Sequence, residues 1–104
     1  MSNDAPLAPE LCRTMTEVRA GVDALDGELL ALLGRRFGYM RAAARIKPDR
    51  GAVRDEARKA QVIANAVRLA KQHGAPEAVV GQLWDDLVEA CIAYEMDEWD
   101  RTRG

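Results

Sequence analysis

The sequence is poor in the residues that most catalytic and metal sites require. It contains one histidine, His73, and two cysteines, Cys12 and Cys91, which show no CxxC spacing. A zinc site is therefore not expected, and both thiols are predicted to be reduced, in a cytoplasmic protein. No serine lies near the histidine and no glycine-rich loop follows a strand pattern, so the sequence offers neither a nucleophile–base pair nor a phosphate-binding loop.

The sequence also has few aromatic residues, no excess of basic residues and no long apolar run. Aromatic residues make up 5% of the chain against 48% hydrophobic residues overall, with many Ala and Leu and no alternating pattern, which is typical of an all-α fold. The 15 basic and 17 acidic residues give a net charge of −2, which argues against non-specific nucleic-acid binding. No apolar run approaches roughly 18 residues, so we predict neither a membrane span nor a signal peptide.

The longest pattern is an amphipathic stretch from residue 18 to residue 47. Its apolar residues recur at spacings of three and four: Val18, Val22, Leu25, Leu29, Leu32, Leu33, Phe37, Met40 and Ala44. This spacing predicts one long helix that ends at Pro48. Thr14 or Thr16 could cap its start, and Thr14 with Glu17 fits a capping box. A helix of about 30 residues is too long for a monomer of this size to cover, so we expect it to pack along a partner.

Two shorter helices are predicted after the turn at residues 47–51. The second helix should run from Arg54 or Asp55 to His73, with Gly74 as its C-cap. The third should start at Pro76, and the final RTRG segment is expected to fray. The predicted fold class is therefore all-α, with three helices in one domain of residues 14–104 and a flexible lead-in at residues 1–13.

Three basic residues, Arg19, Arg36 and Lys47, lie along the first helix. At ~100° and ~1.5 Å per residue, Arg36 and Lys47 differ by about 20° in azimuth and about 16 Å along the axis. Both side chains can therefore lean toward one small anionic ligand between them. Arg19 lies about 25 Å from Arg36, so a second, antiparallel copy of the helix would have to deliver it. This geometry favours a dimer with composite sites for a small polycarboxylate, in which cations stabilise developing negative charge without covalent chemistry.

Four segments follow one another in a specific order. Arg19 lies early in VRAGVDALDGELLALL, RAAARIK ends at Lys47, a VRDxxR segment spans residues 53–58, and the third helix carries Glu95 near its end. Over roughly residues 14–103, this order resembles the all-helical class of chorismate mutases. It is also similar to the isochorismate-pyruvate lyases of salicylate pathways, which share that fold.

The resemblance implies an intertwined homodimer with two sites, each lined by both protomers. It implies that Arg19 from one subunit clamps one substrate carboxylate. Arg36 from the other subunit would clamp the second carboxylate or assist near the enolpyruvyl group. Lys47 would donate to the ether oxygen whose bond breaks, and Glu95 would face that oxygen from the opposite side, where many relatives carry Gln.

The resemblance also assigns residues beyond the first helix. Arg58 would complete carboxylate binding, and the backbone around Asp55 would meet the ring hydroxyl. Cys91 lies one turn before Glu95 and is expected to line the pocket. The implied partners are a dicarboxylate substrate and a second copy of the chain, with no cofactor, metal, nucleic acid or membrane.

Several functions stay open at this point. A chorismate mutase that forms prephenate is favoured over an isochorismate-pyruvate lyase, over a mutase for an amino-substituted chorismate, and over a non-catalytic helical dimerisation module. Glu95 can donate a hydrogen bond only when protonated, which predicts activity that improves below neutral pH. Lys59 occupies a position where some chorismate mutases have Glu, which favours the lyase, whereas the VRDxxR segment favours the mutase.

Overall fold

The computed structural model describes residues 5–104, and they form three α-helices. Helix α1 spans Met15–Ile46, α2 spans Glu56–Gln72 and α3 spans Glu77–Arg103, with 3-10 turns at Pro9–Leu11 and Arg50–Ala52. The described residues contain no strand, so the predicted three-helix, all-α fold is confirmed. The predicted lead-in covers residues 1–13, and its first four residues lie outside the described part of the chain. Between residues 5 and 104, no helix is long and apolar enough to cross a membrane.

Helix α1 begins with the predicted capping box. The Glu17 N–H donates to Thr14 Oγ1 at 3.2 Å, and the Thr14 N–H donates back to Glu17 Oε1 at 3.0 Å. The Arg13 N–H donates to the same carboxylate oxygen at 2.7 Å. These backbone donors, that of Arg13 first and that of Thr14 second, hold the pKa of Glu17 below its ordinary value. The first turn of α1 is therefore stabilised by local contacts that the sequence encodes directly.

The described chain forms two compact units, which divide between Phe37 and Gly38 within α1. The first unit contains the N-terminal segment and most of α1. The apolar stripe of α1 in this unit is 38% to 57% exposed in the single chain: Val18, Val22, Leu25, Leu29 and Leu32. The second unit contains the last turns of α1 together with α2 and α3, and it holds the buried core.

The core of the second unit lies where α3 packs against α2 and against the Arg50–Ala52 turn. Val53, Val88 and Ile92 are its buried centre. Half-buried side chains pack around them: Val62, Met96 and Trp99. This arrangement fixes the segment that joins α1 to α2 against the C-terminal half of α3.

Helix α2 has the ends that its sequence predicts. Asp55 is its N-cap, because the carboxylate accepts a hydrogen bond from the Arg58 N–H at 3.0 Å. After the helix, Gly74 adopts a φ of 74°, the left-handed conformation that glycine tolerates best. The Ala75 N–H then donates to the Ala70 carbonyl at 2.8 Å, closing a Schellman motif. Helix α3 follows directly, with Pro76 at its N-cap.

The predicted fraying of the RTRG tail is wrong. Helix α3 continues to Arg103, whose guanidinium donates to the Ala44 carbonyl at 2.9 Å and to the Lys47 carbonyl at 2.8 Å. The guanidinium carbon also lies 4.3 Å from the centroid of the Trp99 ring. Local sequence predicted a free end because these contacts join residues more than 50 positions apart.

Candidate functional site

The site is built on an ion pair between Lys47 and Glu95. Lys47 directly follows α1, and its Nζ lies 2.7 Å from Oε2 of Glu95 on α3. Glu95 is 5% exposed and is the buried charged residue of the described chain. The Lys47 side chain keeps 29% of its surface accessible. The pair therefore has one member inside the protein and one member at its edge.

The contact between these two groups is an ion pair without a directed hydrogen bond. Although Nζ and Oε2 are close, Glu95 Oε2 has no hydrogen-bond donor with acceptable angles among the described residues. Coulomb attraction does not depend on those angles, so the two charges still attract each other at 2.7 Å. The arrangement presents a fixed cation, which can stabilise negative charge on a nearby oxygen, beside a buried carboxyl group that retains hydrogen-bonding capacity.

The main chain of Lys47 is held by the end of α3. The Lys47 N–H donates to the Ala43 carbonyl at 2.9 Å and so completes the last turn of α1. Its carbonyl accepts from Trp99 Nε1 at 3.0 Å and from Arg103 Nη2 at 2.8 Å. Both the backbone and the side chain of Lys47 thus contact α3.

Two further predicted site residues lie at the N-terminal end of α2. The carboxylate of Asp55 caps the helix, and Arg58 Nη1 donates to Gln61 Oε1 at 2.6 Å. A guanidinium carries five N–H donors, so the contact with Gln61 leaves others for a ligand. Among the described residues, no hydrogen bond or ion pair joins Asp55 or Arg58 to the pair of Lys47 and Glu95.

Neighbouring cations on this side of the unit are engaged by acidic residues of α3. Arg54 contacts Glu89 at 2.7 Å, and Lys59 contacts Glu89 at 2.6 Å and Asp85 at 3.1 Å. The hydrogen bond from Arg54, followed by that from Lys59, lowers the pKa of Glu89 from 4.5 to about 2. The same contacts raise the pKa of Lys59, that with Glu89 most strongly. Lys59 therefore joins α2 to α3 through this acidic pair.

The remaining predicted residues divide between the two units. Arg19 is exposed and Arg36 is half-buried, and both lie on the part of α1 that belongs to the first unit. Cys91 is buried on α3, one turn before Glu95. The second unit thus brings Lys47 and Glu95 into direct contact, whereas the resemblance implied that they face one substrate oxygen from opposite sides. The assignment of Lys47, Glu95, Arg19, Arg36, Asp55, Arg58 and Cys91 to the site stays a prediction.

Sequence reasoning missed the contacts of Trp99 and Arg103 with Lys47. Two signals were present in the sequence. Glu95, Trp99 and Arg103 are spaced by four, which places them along one stripe of α3. Pro48 lacks a backbone N–H, which leaves the Ala44 carbonyl without its helical donor. Neither signal indicates which distant residue would make the contact, so the contacts became visible only in the structure.

Comparison with known proteins identifies the family of this chain. The sequence profile of the family described as "Chorismate mutase type II" matches residues 18–96. The chain belongs to this family. The match includes every residue that the sequence analysis assigned to the site, from Arg19 to Glu95.

The chain is similar to a curated protein, the isochorismate pyruvate lyase of Pseudomonas aeruginosa. It is 30% identical to this chain over 96 residues, which cover 92% of this chain and 95% of the relative. The two proteins therefore match over nearly their whole lengths. Both comparisons support the conclusion that the chain is an enzyme of the chorismate mutase family.

Proposed function

We propose that this protein is a chorismate mutase, which converts chorismate to prephenate by a pericyclic rearrangement. The observation that carries the proposal is the contact of Lys47 with the buried Glu95, within a chain that belongs to the type II family. The reaction requires no nucleophile. It requires the substrate to be held in its compact diaxial form and the developing charge on its ether oxygen to meet fixed donors.

In this mechanism, Lys47 stabilises the oxygen of the bond that breaks. Its ammonium is a compact charge with three donors, which suits a single oxygen better than a planar guanidinium would. Glu95, on α3, lies 2.7 Å from the Lys47 ammonium and is assigned to the same oxygen, to which it can donate a second hydrogen bond only when it is protonated. Because Glu95 is 5% exposed, water is largely excluded from its side chain, which strengthens these electrostatic contacts.

The carboxylates of the substrate are assigned to arginines. Arg36 and Arg58 bind them from one protomer, because a guanidinium fork matches a carboxylate in a bidentate geometry. Arg19 of the partner subunit supplies a further clamp. The backbone around Asp55 meets the ring hydroxyl, and Cys91 lines the pocket one turn from Glu95.

A homodimer is part of the proposal because α1 needs a partner. Its stripe of five Val and Leu residues is 38% to 57% exposed in the single chain, at the spacing of one helix face. Contiguous exposed apolar surface of this kind marks an interaction site. A second, antiparallel copy of α1 would cover the stripe and would also deliver Arg19 to the site.

The Lys47→Ala variant tests the catalytic assignment. Loss of the cation at the breaking bond should raise the barrier by on the order of 3–4 kcal/mol, seen as a fall in kcat/KM for chorismate. Lys71→Ala is the matched control, since Lys71 lies in the last turn of α2 and outside the site. Unchanged turnover of the Lys47→Ala protein, with its helical circular dichroism retained, would refute the assignment.

A mixing experiment tests the shared site. Arg19→Ala and Lys47→Ala proteins should each be weakly active, whereas a mixture allowed to exchange subunits should recover activity. In a hybrid dimer, one of the two sites receives both native residues. Absence of recovery, with exchange demonstrated by mass spectrometry of differently tagged subunits, would contradict the shared site.

An isochorismate-pyruvate lyase is the second candidate. The observation that favours it is the 30% identity with a protein of that name over 92% of the chain. Lys59 occupies the position where some chorismate mutases have Glu. Its ion pairs with Asp85 and Glu89 are consistent with the lyase. Assays of one preparation with chorismate and with isochorismate distinguish the two. Prephenate formation supports the mutase, and far more efficient release of salicylate and pyruvate from isochorismate would replace it with the lyase.

A further inference from the structure

The C-terminal end of α1 has an unusual requirement for an external hydrogen-bond donor. In an α-helix, the Ala44 carbonyl would accept from the N–H of residue 48, but that residue is Pro48, which has none. Ala44 is 1% exposed, so water does not readily replace the missing donor. A buried carbonyl without a partner is costly, and the fold must satisfy it from elsewhere.

Arg103 supplies this donor from the far end of the chain. Its Nη1 donates to the Ala44 carbonyl at 2.9 Å, and its Nη2 donates to the carbonyls of Arg45 at 3.3 Å and Lys47 at 2.8 Å. The Trp99 ring supports the guanidinium at 4.3 Å. One planar fork thus closes the last turn of α1, which an ammonium could not do with the same geometry.

The same stripe of α3 holds both ends of Lys47. Glu95, Trp99 and Arg103 are spaced by four along the helix and therefore lie on one side of it. Glu95 contacts the Lys47 ammonium at 2.7 Å, while Trp99 Nε1 and Arg103 Nη2 donate to the Lys47 carbonyl. Proline at residue 48 and the cap at the preceding turn leave this lysine little freedom to shift.

We propose that Arg103, supported by Trp99, is a positioning residue that fixes Lys47 against Glu95 and thereby aligns its ammonium for the reaction. The inference rests on the proposed function for its catalytic consequence. Arg103 is not assigned a contact with substrate. Its effect passes through the backbone of Lys47.

The kinetic test compares Arg103→Ala with Arg101→Ala. Arg101 lies in the same last turn of α3 and bonds to Glu98 of its own helix, so it is the matched control. Arg103→Ala should lower kcat about tenfold or more, because small misplacements of a catalytic group have large effects, whereas Arg101→Ala should leave it unchanged. KM should change by less than about threefold in both, since no substrate-binding group is removed.

A double-mutant cycle separates positioning of Lys47 from a general effect on the fold. In a Lys47→Ala background, Arg103→Ala should change kcat by less than about twofold, because its route of action has been removed. An equal loss in both backgrounds would overturn the proposal. Trp99→Phe keeps an aromatic ring beneath the guanidinium but removes the indole Nε1–H together with its five-membered ring, so it should give a smaller loss of kcat than Arg103→Ala. It also provides the test if Arg103→Ala fails to fold, and wild-type kcat in Trp99→Phe would then refute positioning through the Lys47 carbonyl.

A chemical probe makes the inference testable without turnover. Acetylation by acetic anhydride, followed by peptide mass spectrometry, reports the reactivity of each lysine. Arg103→Ala should change the acetylation rate of Lys47 about threefold or more. Lys59, which is held by Glu89 and Asp85, should keep its acetylation rate and serves as the internal reference. An unchanged Lys47 rate would overturn the positioning role. Absence of any turnover by the wild type, with the Lys47 rate altered as expected, would instead refute the proposed function alone.

Discussion

Removal of Lys47 should destabilise the protein much more than removal of the charge on Glu95. Glu95 is 5% exposed, and its close cation is Lys47, at 2.7 Å. Lys47→Ala leaves a buried carboxylate without that cation, and breaking a buried pair in this way costs about 3–5 kcal/mol. Because the Lys47 side chain is 29% exposed, solvent already screens part of the attraction, and we expect a loss of on the order of 2–3 kcal/mol.

The reverse substitution has a different consequence. Glu95→Gln leaves an ammonium at the edge of the protein, where water can solvate it, and keeps a side chain of nearly the same shape. We expect this variant to lose less than about 1 kcal/mol. The double variant, Lys47→Ala with Glu95→Gln, should recover about 1–2 kcal/mol relative to Lys47→Ala, because no buried charge remains.

Urea denaturation at one protein concentration, followed by circular dichroism at 222 nm, measures these differences. The same m-value is expected for all four proteins, so shifts in the midpoint report stability. A double variant no more stable than Lys47→Ala would refute the reasoning, because it would mean that the unpaired carboxylate was not the source of the loss. Equal losses from the two single substitutions would contradict it as well.

Three further predictions concern Glu89, Thr14 and the pH dependence of turnover. The pKa of Glu89 is lowered from 4.5 to about 2, so its contribution to stability is present above about pH 4.5 and is lost as the pH falls toward 2; the difference in unfolding free energy between wild type and Glu89→Gln, measured by urea titration, should shrink over that range. Thr14→Ala removes the N-cap of α1 and should lower the free energy of unfolding by about 1 kcal/mol, as measured by thermal unfolding. If Glu95 donates in its protonated form, kcat/KM for chorismate should rise as the pH is lowered from about 8 to about 5, whereas Glu95→Gln should give a flat profile.

Each of these predictions has a control in the chain. For the first, Glu28→Gln removes an acid that forms no ion pair among the described residues, so it controls for the loss of a carboxylate as such. For the second, Thr16→Ala lies two positions along in α1 and should change stability by less than about 0.5 kcal/mol. For the third, a flat pH profile of the wild type would remove Glu95 from the donor role.

The helices themselves could be predicted because their signals are local. The apolar spacing of α1, the capping box of Thr14 and Glu17, and the Gly74 cap each depend on residues within a few positions of one another. The structure confirms all three, with α1 spanning Met15–Ile46. The assignment of Lys47 and Glu95 to the site came only through the order of segments that resembles a known family, and it stays a prediction.

The remaining features depend on which residues tertiary packing brings together. Arg103 was expected to fray because nothing near it in the sequence holds it, yet it closes the end of α1 across more than 50 residues. Lys59 reads as a departure from a mutase pattern, but the structure shows it bound to Glu89 and Asp85 of α3. Sequence alone thus determined the helices, the family and every helix end except the C-terminal end of α3, because hydrogen bonds and apolar periodicity within a helix are local. The tertiary structure decided which charges meet, since ion pairs between helices depend on a packing register that no single segment encodes.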